Sequence, residues 1–297
     1  MSNDYLDLIG GTMEKLGFSH KSWDVVTVAS GKGGVGKTLT TINLAMSMTG
    51  IGKKVLILDG DLGLSNVNVV LGLEPRYNIN DALEHDVPIE KIVLEGPLGI
   101  KLIPSGSGIT KLTGLSFAKK VRILDAIEDL KSDADVLIID TGAGIGEDVL
   151  HLNAMGDEVV VVTTPEPHAI TDAYAFMKVM NGGFERKKFS VLINMTNSID
   201  EGLKVFRKLA DVGRRFLDID LELLGVIPKD VQVQRDVLSC TAGNSNFART
   251  VAGQAWKEAT YRLLSSFENE NRKLGSRQEF WKEMIFKEKY KNVLSYA

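Results

Sequence analysis

Residues able to do chemistry crowd into a few short stretches, and the densest is Gly31-Lys32-Gly33-Gly34-Val35-Gly36-Lys37-Thr38. Its form is G-x-x-x-x-G-K-[ST], a phosphate-binding loop. Glycines let backbone N–H groups close around phosphate oxygens, and a helix opening after the loop points its positive end at them. In that setting Lys37 reaches the β- and γ-phosphates and the Thr38 hydroxyl ligates Mg²⁺. The ligand chemistry is that of a nucleoside triphosphate with its magnesium ion.

Further polar clusters close apolar runs. Asp59-Gly60-Asp61 follows Val55–Leu58, and Asp140-Thr141-Gly142-Ala143-Gly144 follows Val136–Ile139. An Asp ending an apolar strand beside a P-loop has the Walker-B placement, holding Mg²⁺ directly or through water. The glycines after Asp140 allow a loop to approach the γ-phosphate and change shape when it leaves. One strand-end Asp more often caps a helix; two of them on the sheet edge that carries a P-loop favour the metal. Thr163-Thr164-Pro165-Glu166 and Asn194-Met195 close later runs. The Asn194 amide offers adenine both a donor and an acceptor, although Asn is also a common turn residue.

The elements that would position these residues are short and β-branched. Candidate strands are Val25–Ala29, Val55–Leu58, Ile100–Ile103, Val136–Ile139, Val159–Thr163, Val191–Ile193 and Leu223–Ile227. Helical patterns lie between them, at Phe117, Val121, Leu124, Ile127 and Leu130, and from Ile170 to Met180. This alternation predicts an α/β fold, a mostly parallel doubly wound sheet covered by helices, with ligands at the carboxyl ends of the strands. Three parts are expected: an N-terminal extension over 1–22, a P-loop domain over 23–270, and a C-terminal helical tail over 271–297. In the extension Tyr5, Leu6, Ile9, Met13 and Leu16 share a helical face, interrupted by Gly10 and Gly11.

Composition removes several function classes. A net charge of −4 argues against nonspecific coating of nucleic acid. Cys240 is the single cysteine, so neither a disulfide framework nor a Cys-ligated iron–sulfur cluster is expected. His20, His85, His151 and His168 are scattered rather than clustered for a metal. No apolar run approaches the ~18 residues of a membrane span, and the first residues lack a secretory layout, so a cytoplasmic protein is expected.

The loop carries a second lysine, Lys32, directly after its first glycine. Gly-Lys-Gly-Gly-Val-Gly-Lys-Thr resembles the deviant Walker A motif of the MinD/ParA family of dimerising ATPases. That resemblance implies ATP and Mg²⁺ as cofactors, slow ATP hydrolysis, and a homodimer in the ATP state. It implies that Lys32 crosses to the partner's nucleotide, that Asp61 orients the attacking water, and that Asp59 lies near Mg²⁺. Asp140 matches the second switch, with Gly142 where the family often has Ala or Pro. Glu166 is similar to the glutamate that reaches the ribose across the dimer, and Asn194 with Gly225-Val226-Ile227-Pro228 to the adenine site. Catalysis then falls to Lys32, Lys37 and Asp61. Nucleotide binding falls to Gly31 through Thr38 (Val35 included), Glu166, Asn194 and Pro228, and the metal to Thr38, Asp59 and Asp140.

Within that family several phrases resemble the flagellar-number regulators of the FlhG/FleN (YlxH) group: residues 61–72, 140–146, 166–175, 194–195 and 279–285. The resemblance implies the SRP-type GTPase FlhF, a flagellar transcription regulator or flagellar switch proteins as partners. It also implies peripheral association with the inner face of the cell membrane through the tail. Residues 1–22 lack the Asp-Gln-Ala-x-x-Leu-Arg activator motif of many members, which puts stimulation of FlhF in question. In the tail Phe280, Trp281, Met284 and Ile285 share one helical face, and Phe286, Tyr290, Val293 and Leu294 the opposite one. The helix breaks near Phe286, or one face docks on the body while the other meets lipid, or it simply packs; Lys282, Lys287, Lys289 and Lys291 suit anionic headgroups or form a solvated rim. Two alternatives keep the ATPase and change its task. A ParA-type DNA- or cargo-partitioning protein would need a basic patch from Arg186, Lys187 and Lys188 or from Arg214 and Arg215. A MinD-type protein would select the division site. DNA is not the expected partner.

Overall fold

Runs of β-branched residues that are apolar on both sides can form only strands covered on both faces, and each such run here does so. In the computed structural model, residues 23–61, 67–106, 130, 134–238 and 249–269 are described. The N-terminal extension, nearly all of the 117–130 helical pattern and the 271–297 tail lie outside them.

The strands are β1 (Asp24–Ser30), β2 (Val55–Gly60), β3 (Leu94–Glu95), β4 (Lys101–Ile103), β5 (Val136–Ala143), β6 (Glu158–Thr163), β7 (Lys188–Thr196) and β8 (Asp220–Pro228). The helices are α1 (Lys37–Thr49), α2 (Val67–Val70), α3 (Ile79–Glu84), α4 (Glu147–Ala154), α5 (Pro167–Phe184), α6 (Ile199–Leu217), α7 (Val231–Leu238) and α8 (Val251–Asn269). The eight strands form one sheet in the order β3-β4-β2-β5-β1-β6-β7-β8. All pairings are parallel except β3 with β4. The seven predicted strands match β1, β2, β4, β5, β6, β7 and β8. The added strand, β3, is a two-residue antiparallel edge, too short for any periodicity to announce.

From β1 the chain moves left to β2, and after β5 it crosses to β6 on the right, so the order reverses around β1. The carboxyl end of the strand at such a reversal is where doubly wound sheets bind ligands. Alternate residues of the central strands fill opposite faces. Val26, Val28, Ile138 and Val160 pack against Ile42, Ala45 and Met48 of α1 and against Trp256 and Leu263 of α8. Ala29, Val159 and Val161 face Ala173, Phe176 and Met180 of α5 and Leu209 of α6. Leu137 and Ile139 pack with Leu152 of α4 and Ile79 of α3.

The same alternation fixes the polar residues at the strand ends. Asp140 stands opposite Val28 in the β1–β5 register and opposite Asp59 in the β2–β5 register, on the face that α1 covers. Helix boundaries are locally encoded. α5 opens with Pro167 in its first turn, where its missing N–H costs nothing. α6 opens on Ser198, whose hydroxyl accepts from the Glu201 amide.

Candidate functional site

β1 ends at Ser30, and the next six residues turn the chain back into α1. Gly34 (φ 80) and Gly36 (φ 87) take the left-handed backbone that this turn needs and that side chains rarely adopt. A Cβ on Gly31 would run into the backbone of Asp172 on α5, and one on Gly36 into the Asn194 amide. The loop is thus pressed on both flanks, while Gly33 and Gly34 are open to solvent. Val35, 4% exposed, anchors its middle in the core.

Beneath the loop sits a buried cluster on one carboxylate. Asp140, 1% exposed, accepts from Lys37 Nζ at Oδ1 (2.9 Å), from Thr41 Oγ1 at Oδ1 (3.0 Å) and from Thr38 Oγ1 at Oδ2 (2.7 Å). Charge-assisted bonds at such distances are the strong ones. A hydroxyl that ligates a cation must place its proton on another acceptor, and Thr38 places its proton on Asp140. The hydroxyl's remaining lone pairs, with carboxylate oxygens beside them, form a hard oxygen donor set that suits Mg²⁺.

Asp59, 2% exposed, accepts from the backbone N–H of Asp61 (3.1 Å) and of Val67 (3.4 Å). Its carboxylate therefore braces both ends of the 61–67 segment. The Asp61 carbonyl accepts from Ser105 Oγ at 3.1 Å, which ties the same segment to the end of β4. A Cβ on Gly142 would crowd Val149 Cγ2 at 3.0 Å, with Asp61 Oδ1 at 4.0 Å.

A cavity of about 870 Å³ runs along this edge. Gly33, Gly34, Gly36, Lys37 and Thr38 line one end with Asp61, and Asn194 and Pro228 line the other. Gly33, Gly34, Gly36, Lys37 and Thr38 of the P-loop thus share one cavity with Asp61, Asn194 and Pro228. Lys32, Asp59, Asp140 and Glu166 stand outside that lining. The Asn194 amide is already engaged, donating to the Val35 carbonyl (2.8 Å) while its Oδ1 accepts from Met195 N (2.9 Å), so it splints the P-loop. Lys32 and Glu166, assigned by resemblance to the partner's nucleotide, pair with each other at 3.1 Å on the surface of one chain.

Sequence reasoning missed two contributors. Thr41 lies one helical turn after Lys37 and Thr38, a spacing that places it on their face of α1. Met195 adopts φ 55, a left-handed conformation unusual for its type, at the mouth of the cavity. The Asn194-Met195 pair marks its place in the sequence, but nothing local announces its backbone angle. Of the basic residues considered for DNA, three are engaged, while Arg214 and Arg215 are exposed in the last turn of α6. Arg186 donates to the carbonyls of Gly156 and Asp157, while Lys187 pairs with Asp218 and Lys188 with Glu222.

A glycine-framed loop between β1 and α1, a lysine and a threonine on a buried strand-end Asp, and a cavity at the switch of strand order define a P-loop NTPase. Known proteins narrow that class. The model of the ParA family, described as "NUBPL iron-transfer P-loop NTPase", matches residues 22–263. The antiactivator FleN of Pseudomonas aeruginosa is 39% identical over 253 residues, covering 85% of this chain and 90% of FleN. The flagellum site-determining protein YlxH of Helicobacter pylori is 34% identical over 76% of this chain and 78% of its own length. Among solved structures, the MinD cell division protein of Aquifex aeolicus superposes with a TM-score of 0.65 at 25% identity, over 82% of this chain and 97% of MinD. The chain belongs to the ParA/MinD family of P-loop NTPases, and within it resembles the FlhG/FleN group. It is an ATPase that works with ATP and Mg²⁺.

Proposed function

We propose that this ATPase is a dimerisation switch that sets flagellar number or placement, cycling between a cytosolic monomer and a membrane-associated dimer. The likeness to FleN over 85% of the chain carries the reading. In the cycle Lys37 and the P-loop amides hold the phosphates, while Thr38, Asp140 and Asp59 serve the ion. Lys32 leaves Glu166 and reaches the partner's phosphates, where it stabilises the charge that develops in the transition state. Asp61 positions the attacking water, Glu166 meets the partner's ribose, and Asn194 and Pro228 flank the base. Hydrolysis releases the segments around 59–67 and 140–146 and dissolves the dimer. The tail carries the membrane contact, and FlhF, a flagellar transcription regulator or switch proteins are the partners.

The commitment of Arg186 to the carbonyls of Gly156 and Asp157 supports a cargo other than DNA. No described helix is long and apolar enough to cross a membrane, in keeping with a peripheral contact. Flagellar number and placement in a deletion strain, with septum position scored in the same images, tests the assignment. Altered flagella with normal septa are expected, whereas misplaced septa with normal flagella would favour a MinD-type role. For the cycle, Asp61→Ala is expected to accumulate as an ATP-bound dimer on gel filtration with Mg-ATP. A wholly monomeric variant sinks the model. Flotation with anionic liposomes should capture the full chain and lose residues 1–275; equal behaviour removes the membrane role from the tail.

A further inference from the structure

We propose that Thr41 is the positioning residue for Asp140, keeping that carboxylate satisfied and oriented when Lys37 turns to the phosphates of ATP. The proposal rests on the Mg-ATP chemistry of the site and is independent of any flagellar role.

Asp140 and Thr41 are both sealed from water, at 1% and 0% exposure. Oδ1 of Asp140 has two donors, Lys37 Nζ at 2.9 Å and Thr41 Oγ1 at 3.0 Å, and Oδ2 takes the Thr38 hydroxyl at 2.7 Å. Two of these three donors have other work. The Lys37 ammonium is the group that a P-loop sends to the β- and γ-phosphates, and Thr38 is the residue that supplies an oxygen to the ion. Once Lys37 has moved, Oδ1 of this buried carboxylate keeps Thr41 as its donor. A buried anionic oxygen without a donor is heavily penalised. Without Thr41, the carboxylate would either hold Lys37 back from the phosphates or turn about its Cβ–Cγ bond to find another donor. The first outcome withholds Lys37 from the phosphates; the second moves Oδ2 away from the position in which it accepts from Thr38, and the ion's site is spoiled.

Thr41 suits this task because α1 holds it rigidly. It lies one turn beyond Lys37 and Thr38, on the helix face turned to β5, so its hydroxyl needs no motion of its own while Lys37 exchanges partners. Thr41 touches no phosphate and no ion in this role; it acts through Asp140.

Full-length Thr41→Val and Thr41→Ser variants test it. The readout is the Mg²⁺ concentration that half-saturates the tightening of binding of a fluorescent, slowly hydrolysed ATP analogue. Melting temperature and the kcat against KM split are followed beside it. Val keeps the shape and removes the donor, and it is expected to shift the Mg²⁺ midpoint upward on the order of tenfold, the scale of one hydrogen bond to a charged group. Ser restores the donor and should return the midpoint to within about twofold of the parent, a difference worth under half a hydrogen bond. A Thr41→Val protein with a parental Mg²⁺ midpoint and only a lowered melting temperature overturns the proposal, because Thr41 would then be packing alone. A Thr41→Ser protein as impaired in Mg²⁺ response as Thr41→Val overturns it too, since the methyl rather than the hydroxyl would matter.

Discussion

Two lysines of one loop, five residues apart in sequence, each hold a carboxylate at nearly the same distance. Lys37 meets Asp140 at 2.9 Å with side chains 9% and 1% exposed, and Lys32 meets Glu166 at 3.1 Å with side chains 42% and 68% exposed. Distance alone would rank them together. Depth separates them. In the interior, removing one partner strands an uncompensated charge, at a cost of about 3–5 kcal/mol. At the surface water replaces the lost partner, and such a pair is worth about 0–1 kcal/mol. The first pair therefore braces α1 on β5, and Lys37 gives it up only for another anion, the phosphates. The second is a loose hold that a better partner can outbid, as the proposed crossing of Lys32 to a second chain requires.

The largest effect that can break this contrast comes from Asp140→Ala. It removes the acceptor of Lys37, Thr38 and Thr41 together and leaves the Lys37 ammonium buried. A loss of about 3–5 kcal/mol in urea unfolding is expected, with ATP hydrolysis abolished. Glu166→Ala, measured in the same way, should fall within about 1 kcal/mol of the parent. If the two variants unfold at the same urea concentration, burial is not what separates the pairs.

What could be read from the amino acids follows the same division. The frame was legible because its signals are local: β-branched runs gave the parallel strands, and the Gly-x-x-x-x-Gly-Lys-Thr spacing gave the loop and its two ligand-facing side chains. Asp140 was legible because a strand end has a register, and the register puts it under α1. The strand order around β1 depends on pairings far apart in sequence, which no window of residues contains. Thr41 was missed for a related reason. Its hydroxyl looks like any helix threonine until Asp140, 99 positions later, is placed against it. Asn194 is grouped with the base site on the chemistry of its amide, and it lines the cavity. That the amide spends itself on Val35 is a tertiary fact invisible to spacing.

The next effect sharpens the contrast by separating stability from rate. Lys32→Ala should leave unfolding within about 1 kcal/mol of the parent, yet slow ATP hydrolysis by on the order of a hundredfold or more, as loss of a charge-stabilising group does. Glu166→Gln should be as stable and slow hydrolysis less, since it releases Lys32 rather than removing it. Phosphate release at saturating Mg-ATP, with unfolding curves on the same preparations, decides. A Lys32→Ala protein with parental turnover would mean that the exposed lysine serves Glu166 alone.

The smallest effect lies at the N-terminus of α6, where two exposed carboxylates also sit below their ordinary range. The Lys204 side chain, 2.7 Å away, donates to Asp200 and lowers it from 3.8, and the Asn197 backbone N–H lowers Glu201 from 4.5. A carboxyl whose pKa is depressed on folding adds stability above its unfolded pKa, and that stability is lost as pH falls through the folded one. Asp200→Asn and Glu201→Gln should thus melt slightly below the parent at pH 7, with the gap closing as the pH drops below about 4. Added salt distinguishes the two. Salt should shrink the Asp200 gap, which is an ion pair in water, and spare most of the Glu201 gap, which is a hydrogen bond from Asn197. A Glu201 gap that persists unchanged at low pH would assign it to helix capping rather than charge. The contrast between depths would then hold for ion pairs alone.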